Sequence, residues 1–188
     1  NDPNKVLQEM ILYRRSQNQS WEPLKILGPK NGSFKDSSLE TESNIYEYKI
    51  ESLNGCNEEV ISNTHNSILL NGNSNEEIGE INLNWNPYSG WINEVARYEI
   101  LRRLENTGEF EVIETVGNQV NSINMLNAAE GFKHELRIRS VSFNDQIYSY
   151  SNVLLFEFEH VIIIPNVFTP NNDGISDTFK IPKIELYE

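Results

Sequence analysis

The sequence is poor in nearly every feature that would announce a chemistry. It holds one cysteine, Cys56, so no disulfide can form within it and no bridge framework can hold its cores. The lone thiol either stays unbridged or joins a cysteine outside these residues. No apolar run approaches the roughly 18 residues of a membrane helix, and no basic, apolar, small-residue leader opens the chain. Basic residues are scarce, 15 Lys plus Arg against 28 Asp plus Glu, for a net charge of -13. That sign repels phosphate backbones and anionic lipid, which excludes nucleic-acid and membrane-surface binding as primary roles. The three histidines, His65, His134 and His160, are too far apart for a metal-ligand pattern, and His160 reads as a strand-surface residue. No nucleophile elbow, P-loop or dinucleotide fingerprint occurs. Nothing singles out a glycosidase-type carboxylate pair, because acids alternate with apolar residues as they do on exposed strand faces. No stretch sustains helical periodicity over three turns.

What is present is a period of two, and a pattern that occurs twice. Ile81, Leu83 and Trp85 alternate with asparagines; Tyr98 and Ile100 flank Glu99; Leu136 and Ile138 alternate with Arg137 and Arg139. Such alternation puts one face of a strand on a core and the other in water. Breaks rich in Asn, Gly and Pro come at the short spacing of a sandwich. The repeat is domain-sized. Ile11-Leu-Tyr-Arg-Arg15 matches Ile100-Leu-Arg-Arg103, and Trp21 to Leu27 matches Phe110 to Val116. Tyr46 to Ser52 matches His134 to Ser140, and Ile61-Ser-Asn63 matches Tyr150-Ser-Asn152, at offsets of 88 to 89 residues. A repeat that long is a domain, not a solenoid unit. The class is all-β.

At these residues the second copy resembles a fibronectin type III domain over nearly its whole length. Trp85 falls where that family keeps a buried second-strand tryptophan; Tyr98-Glu-Ile100 resembles the third strand and His134 to Ser140 the sixth. The resemblance implies a tyrosine at the position of His134, with its hydroxyl bonded back to a nearby turn. The first copy has that residue as Tyr46. The expected architecture is therefore tandem fibronectin type III-like β-sandwiches. Residues 67–160 make a complete one. Residues 1–66 make one missing its first two strands, since only Asn1 to Met10 precede its Ile-Leu-Tyr strand. Such a unit would bare half its core and a raw sheet edge. It is expected to be part of a longer protein, or to receive strands from another chain by β-addition.

From Val161 the text changes. A β-branched strand ends at Pro165, Phe168 is an apolar anchor, and Pro170-Asn-Asn-Asp-Gly174 is dense turn chemistry. Pro165, Asn166, Phe168, Thr169, Pro170, Asn171, Asp173, Gly174, Asp177 and Phe179 together resemble the opening of the type B C-terminal sorting domain of gliding-motility-associated and other cargo proteins of Bacteroidetes. Residues 161–188 would be the N-terminal part of that β-rich domain, and His65-Asn-Ser-Ile-Leu-Leu70 resembles a phrase common between domains upstream of it. The resemblance implies a secreted, cell-surface protein exported across the outer membrane by the type IX secretion system. Its partners would then be that machinery and its outer-membrane components, and its leader would lie upstream or have been removed. Aligning Gly174 with the fixed glycine of a calcium loop puts Asn171 and Asp173 at ligand positions with Asp177 following, but Lys180 stands where a bidentate Glu closes such loops. The segment reads first as an Asx/Gly turn, and second as a calcium site on Asn171, Asp173 and Asp177. No other cofactor is expected.

Three further expectations concern side chains and linkage. The Arg pairs 14–15 and 102–103 read as cross-strand ion pairs or aliphatic cover over aromatics. Trp91, after Tyr88-Ser-Gly90, either packs over the end of its own sandwich or stands exposed to a sugar or a neighbouring domain. The stretch 152–165 lacks Gly and Ser, so it predicts a semi-rigid passage into the terminal segment rather than a flexible linker. The functional reading is a non-catalytic spacer and presentation region carrying an export signal. The alternatives are an adhesive glycan- or protein-binding module, or the tail of a secreted enzyme.

Overall fold

The computed structural model describes residues 9–17, 19–28, 33–37, 39–76, 79–104, 108–125, 133–158 and 178. The described residues hold strands and turns with no helix, so the all-β class holds. The expected sorting residues Pro165 to Phe179, the calcium candidates among them and His160 lie outside the described residues. So does most of the 152–165 passage beyond Phe158.

The described residues between 67 and 158 build a sandwich. One sheet has the order β10 (Ser122–Met125), β7 (Glu80–Trp85), β6 (Leu70–Asn75). The other has the order β12 (Tyr148–Tyr150), β11 (Lys133–Ser142), β8 (Val95–Leu104), β9 (Glu111–Gly117), with β13 (Leu154–Glu157) also on β11. All these pairings are antiparallel. Trp85 thus sits on the second strand, Tyr98 to Ile100 on the third and His134 to Ser140 on the sixth, as expected of a fibronectin type III-like sandwich. The alternation shows why these segments are strands. Leu70, Ile81, Leu83 and Trp85 point from one sheet, Tyr98, Ile100, Leu136 and Ile138 from the other, and all are buried in a single cluster. Each such side chain contributes about 1.5–3 kcal/mol by leaving water. Trp85 and Tyr98 meet edge to face, with ring centroids 5.7 Å apart. Asn152 closes the sandwich edge: its amide accepts from Leu70 N at 2.7 Å and donates to Leu70 O at 3.1 Å.

Residues 9–66 form one five-stranded sheet, ordered β2 (Glu22–Leu27), β1 (Met10–Ser16), β3 (Tyr46–Leu53), β4 (Glu59–Ile61), with β5 (His65–Asn66) on β3. The repeat holds here down to register. Leu12 faces Ile50, Arg14 faces Tyr48 and Arg15 faces Glu47, as Ile100 faces Ile138, Arg102 faces Leu136 and Arg103 faces Glu135. The equivalent of Ile100 is therefore Leu12, and the match of Ile11 to Ile100 is corrected. A one-residue slip would turn every side chain to the wrong face, and only an offset of 88 along this strand preserves the pairing. The β-bulge between β1 and β2 recurs between β8 and β9. The turn after β3 repeats after β11, with Asn57 at φ 63° and Asp145 at φ 55°, a left-handed conformation that Asn and Asp tolerate. Cys56 is exposed in the first of these turns.

The two copies differ in what covers the inner face. Residues 34–37 stand 88 positions before β10 in the sequence but are not a strand, and among the described residues no strand stands where β7 pairs with β10. Leu12, Leu27, Phe34, Tyr48 and Ile50 consequently line an open groove of about 380 Å³.

Candidate functional site

The described residues contain no group of three His, Cys, Asp or Glu able to hold a metal. What the structure does bring together is a cluster where the β5 segment meets the loop 86–94 between β7 and β8. Asn63 donates to Gly90 O at 3.0 Å and Asn66 to Pro87 O at 2.9 Å. Ser89 N donates to Asn66 Oδ1 at 2.6 Å. Asn86 donates to Ser67 O at 3.0 Å and accepts from Leu69 N at 2.7 Å. Side-chain amides do this because each both donates and accepts, so each can satisfy the backbone of two segments that share no ladder. Tyr88 N donates to the buried Tyr98 hydroxyl at 2.9 Å, which ties the loop to the core.

His65 Nδ1 and the Tyr88 hydroxyl lie 2.7 Å apart. Burial lowers the His65 pKa and pushes Tyr88 up to about 12, because each charged form would lose hydration. Both are neutral at pH 7. Gly90, at φ +121°, passes so close that a Cβ there would stand 2.6 Å from the His65 ring.

Beyond this cluster the loop turns its other side to solvent. Trp91 meets Tyr88 at a tilt, with ring centroids 4.5 Å apart, and joins the edge of the core, so it packs over the end of its own sandwich. It also remains half-exposed. A trough of about 530 Å³ runs from Tyr88 and Trp91, past Glu94, to the β9–β10 turn at Asn118, Gln119 and Asn121. Glu94 takes φ 58°, and its N–H donates to Trp91 O at 3.2 Å, a tight turn that sets the indole.

The arginine expectation is met in both copies. Arg15 pairs with Glu47 and lies over Trp21; Arg103 pairs with Glu135 and lies over Phe110. A second cation covers each ring, Lys49 at 4.7 Å from the Trp21 centroid and Arg137 at 4.0 Å from that of Phe110. Arg137 also covers Tyr150, and Arg139 covers Tyr148, so cations and rings alternate along the outer face. The ion pair with Arg103 holds the Glu135 carboxyl below its ordinary range. Arg14 turns inward to Asp36 at 2.9 Å, and Asp36 also accepts from the Tyr48 hydroxyl at 3.1 Å. The tyrosine corner is present in the first copy: Glu40 N donates to the Tyr46 hydroxyl at 3.2 Å. In the second, His134 is fully buried edge-on to Phe158, with centroids 5.4 Å apart.

Of these groups, sequence reasoning singled out Trp91, His134 and the arginines. It missed the His65–Tyr88 pair and the amide-bonded joint. Their only signal was the density of asparagine around 63–66 and at 86, which reads equally as turn chemistry.

No family model matches the chain, nor does any curated protein. Among solved structures, a pectate lyase from Erwinia chrysanthemi in complex with tetragalacturonic acid is 18% identical at a TM-score of 0.40, over 47% of this chain and 28% of that one. The chicken CNTN1 FN1–FN3 domains are 16% identical at 0.39, over 80% of this chain and 54% of theirs. A two-domain fibronectin type III segment of chicken tenascin is 13% identical at 0.38, over 82% and 87%. The chain thus spans about a quarter of the first of these and about half of the second.

Proposed function

We propose that the chain is the C-terminal region of a secreted cell-surface protein, in which fibronectin type III-like units hold an upstream part away from the cell. Residues 67–160 are one unit. Residues 1–66 are a second, whose Leu12–Ile50 face takes two further strands equivalent to β6 and β7. Residues 161–188 open a type B sorting domain read by the type IX secretion machinery, and the region itself is non-catalytic. One observation carries the spacer reading: the asparagine-bonded joint between β5 and the loop 86–91. Consecutive units joined by side-chain bonds to backbone on both sides resist bending, and a presentation arm needs that stiffness. The export reading rests on the sorting residues Pro165 to Phe179.

A reporter fused ahead of residues 67–188 in a bacterium with a type IX system tests it. The reporter is expected at the cell surface, and replacing Asp173, Gly174 and Asp177 together by alanine is expected to leave it in the periplasm. Surface display that survives this replacement and the deletion of residues 161–188 would overturn the export reading.

A further inference from the structure

We infer that the trough between Trp91 and the β9–β10 turn binds an uncharged oligosaccharide. Four features of the trough carry this, and the first three are not needed for a spacer.

Its shape comes first. About 530 Å³ of open trough lies at one end of the sandwich, within the range of small-ligand sites. Its aromatic side comes second. Trp91 is braced by Tyr88, lines the trough and is only partly buried. An indole offers an apolar face with a polar edge, matching a sugar ring whose C–H face is apolar and whose rim is hydroxylated.

The polar lining is the third feature. Asn118, Gln119 and Asn121 present amides, and among the described residues those side chains make no hydrogen bond to protein. Amides donate and accept, as hydroxyls do. No Lys or Arg lines the trough, and Glu94 brings one negative charge. Anionic ligands are therefore repelled and a phosphate has nothing to hold it. The fourth feature is rigidity. The loop bearing Trp91 is fixed from behind by Asn63, Asn66 and Tyr98, so the platform exists before the ligand arrives and little ordering cost is left to binding. A peptide fits less well, because the apolar lining is confined to the aromatic rings, Pro87 and Val95.

Titration of the ¹⁵N-labelled chain tests the site. The probes are cellotetraose, xylotetraose, mannotetraose and laminaritetraose, with a uronate tetramer and a proline-rich peptide in parallel. At least one neutral tetramer is expected to shift the Trp91 indole N–H saturably, with Kd on the order of 0.1–1 mM, while the buried Trp85 indole stays still. Trp91→Ala should weaken this at least about tenfold. The double change Gln119→Ala and Asn121→Ala, on an exposed turn, should weaken it about threefold or more with the remaining spectrum unchanged. The site is overturned if no neutral tetramer produces a saturable shift up to about ten times that Kd. A Trp91 response to the uronate or the peptide with none to the neutral sugars overturns the ligand class. Either result leaves the export and spacer reading where it stands.

Discussion

Gly90 carries the tightest constraint at the joint. A Cβ there would meet the His65 ring at 2.6 Å and Thr64 O at 2.8 Å, on a backbone at φ +121° that side chains rarely adopt. Gly90→Ala is expected to destabilise the chain by about 1–3 kcal/mol, read as a lower denaturation midpoint and the loss of the His65–Tyr88 contact. His65 itself should titrate below its ordinary pKa near 6.5, since burial lowers it. The unfolded chain then takes up a proton before the folded chain does. The His65 contribution is intact above about pH 6.5 and is lost as pH falls from there to the folded pKa. His65→Gln should flatten that part of the stability–pH curve. Tyr46→Phe removes the bond from Glu40 N and should cost about 1 kcal/mol. The position was legible in the sequence and its partner was not, because a turn's backbone donor has no side-chain signature.

The two copies supply their own control at the scale of elements. Ile50 and Ile138 hold the same register against Leu12 and Ile100, yet Ile138 is fully buried while Ile50 lines an open groove. Ile138→Ala should cost roughly 2–5 kcal/mol. Ile50→Ala should cost less than half as much, because a side chain only partly removed from water has less to lose. Parallel urea titrations of the two variants compare them. Equal losses would mean that the first sheet is covered as fully as the second. The strands were readable from alternation. The bulge that separates β1 from β2, and β8 from β9, was not, since it changes no residue type. The drift between offsets of 88 and 89 has another source, the hairpin turn, which holds one residue more between Arg102 and Glu111 than between Arg14 and Glu22. The residues at 34–37 teach the converse: they stand 88 positions before β10, but without a ladder partner they are not a strand.

Across the whole molecule, the joint between the first sheet and the sandwich decides whether the chain works as an arm. Replacing Asn63 and Asn66 together by alanine removes bonds to Gly90 O, Pro87 O and Ser89 N. Residual dipolar couplings of the intact chain should fit one alignment tensor across β1 to β13, and those of the variant two; one tensor for both would show that the amides are dispensable. The sequence by itself settled the all-β class, the domain-sized repeat at 88 to 89 residues and the outward-facing Arg137 and Arg139, because alternation and spacing are local and survive without contacts. The strand order, the pairing of His65 with Tyr88, the Asn-to-backbone joint and the trough beside Trp91 were decided by tertiary structure alone. The His65–Tyr88 contact spans 23 positions and the Asn63–Gly90 bond 27, and the amides and hydroxyls that join such segments look, in a sequence, like any solvated turn.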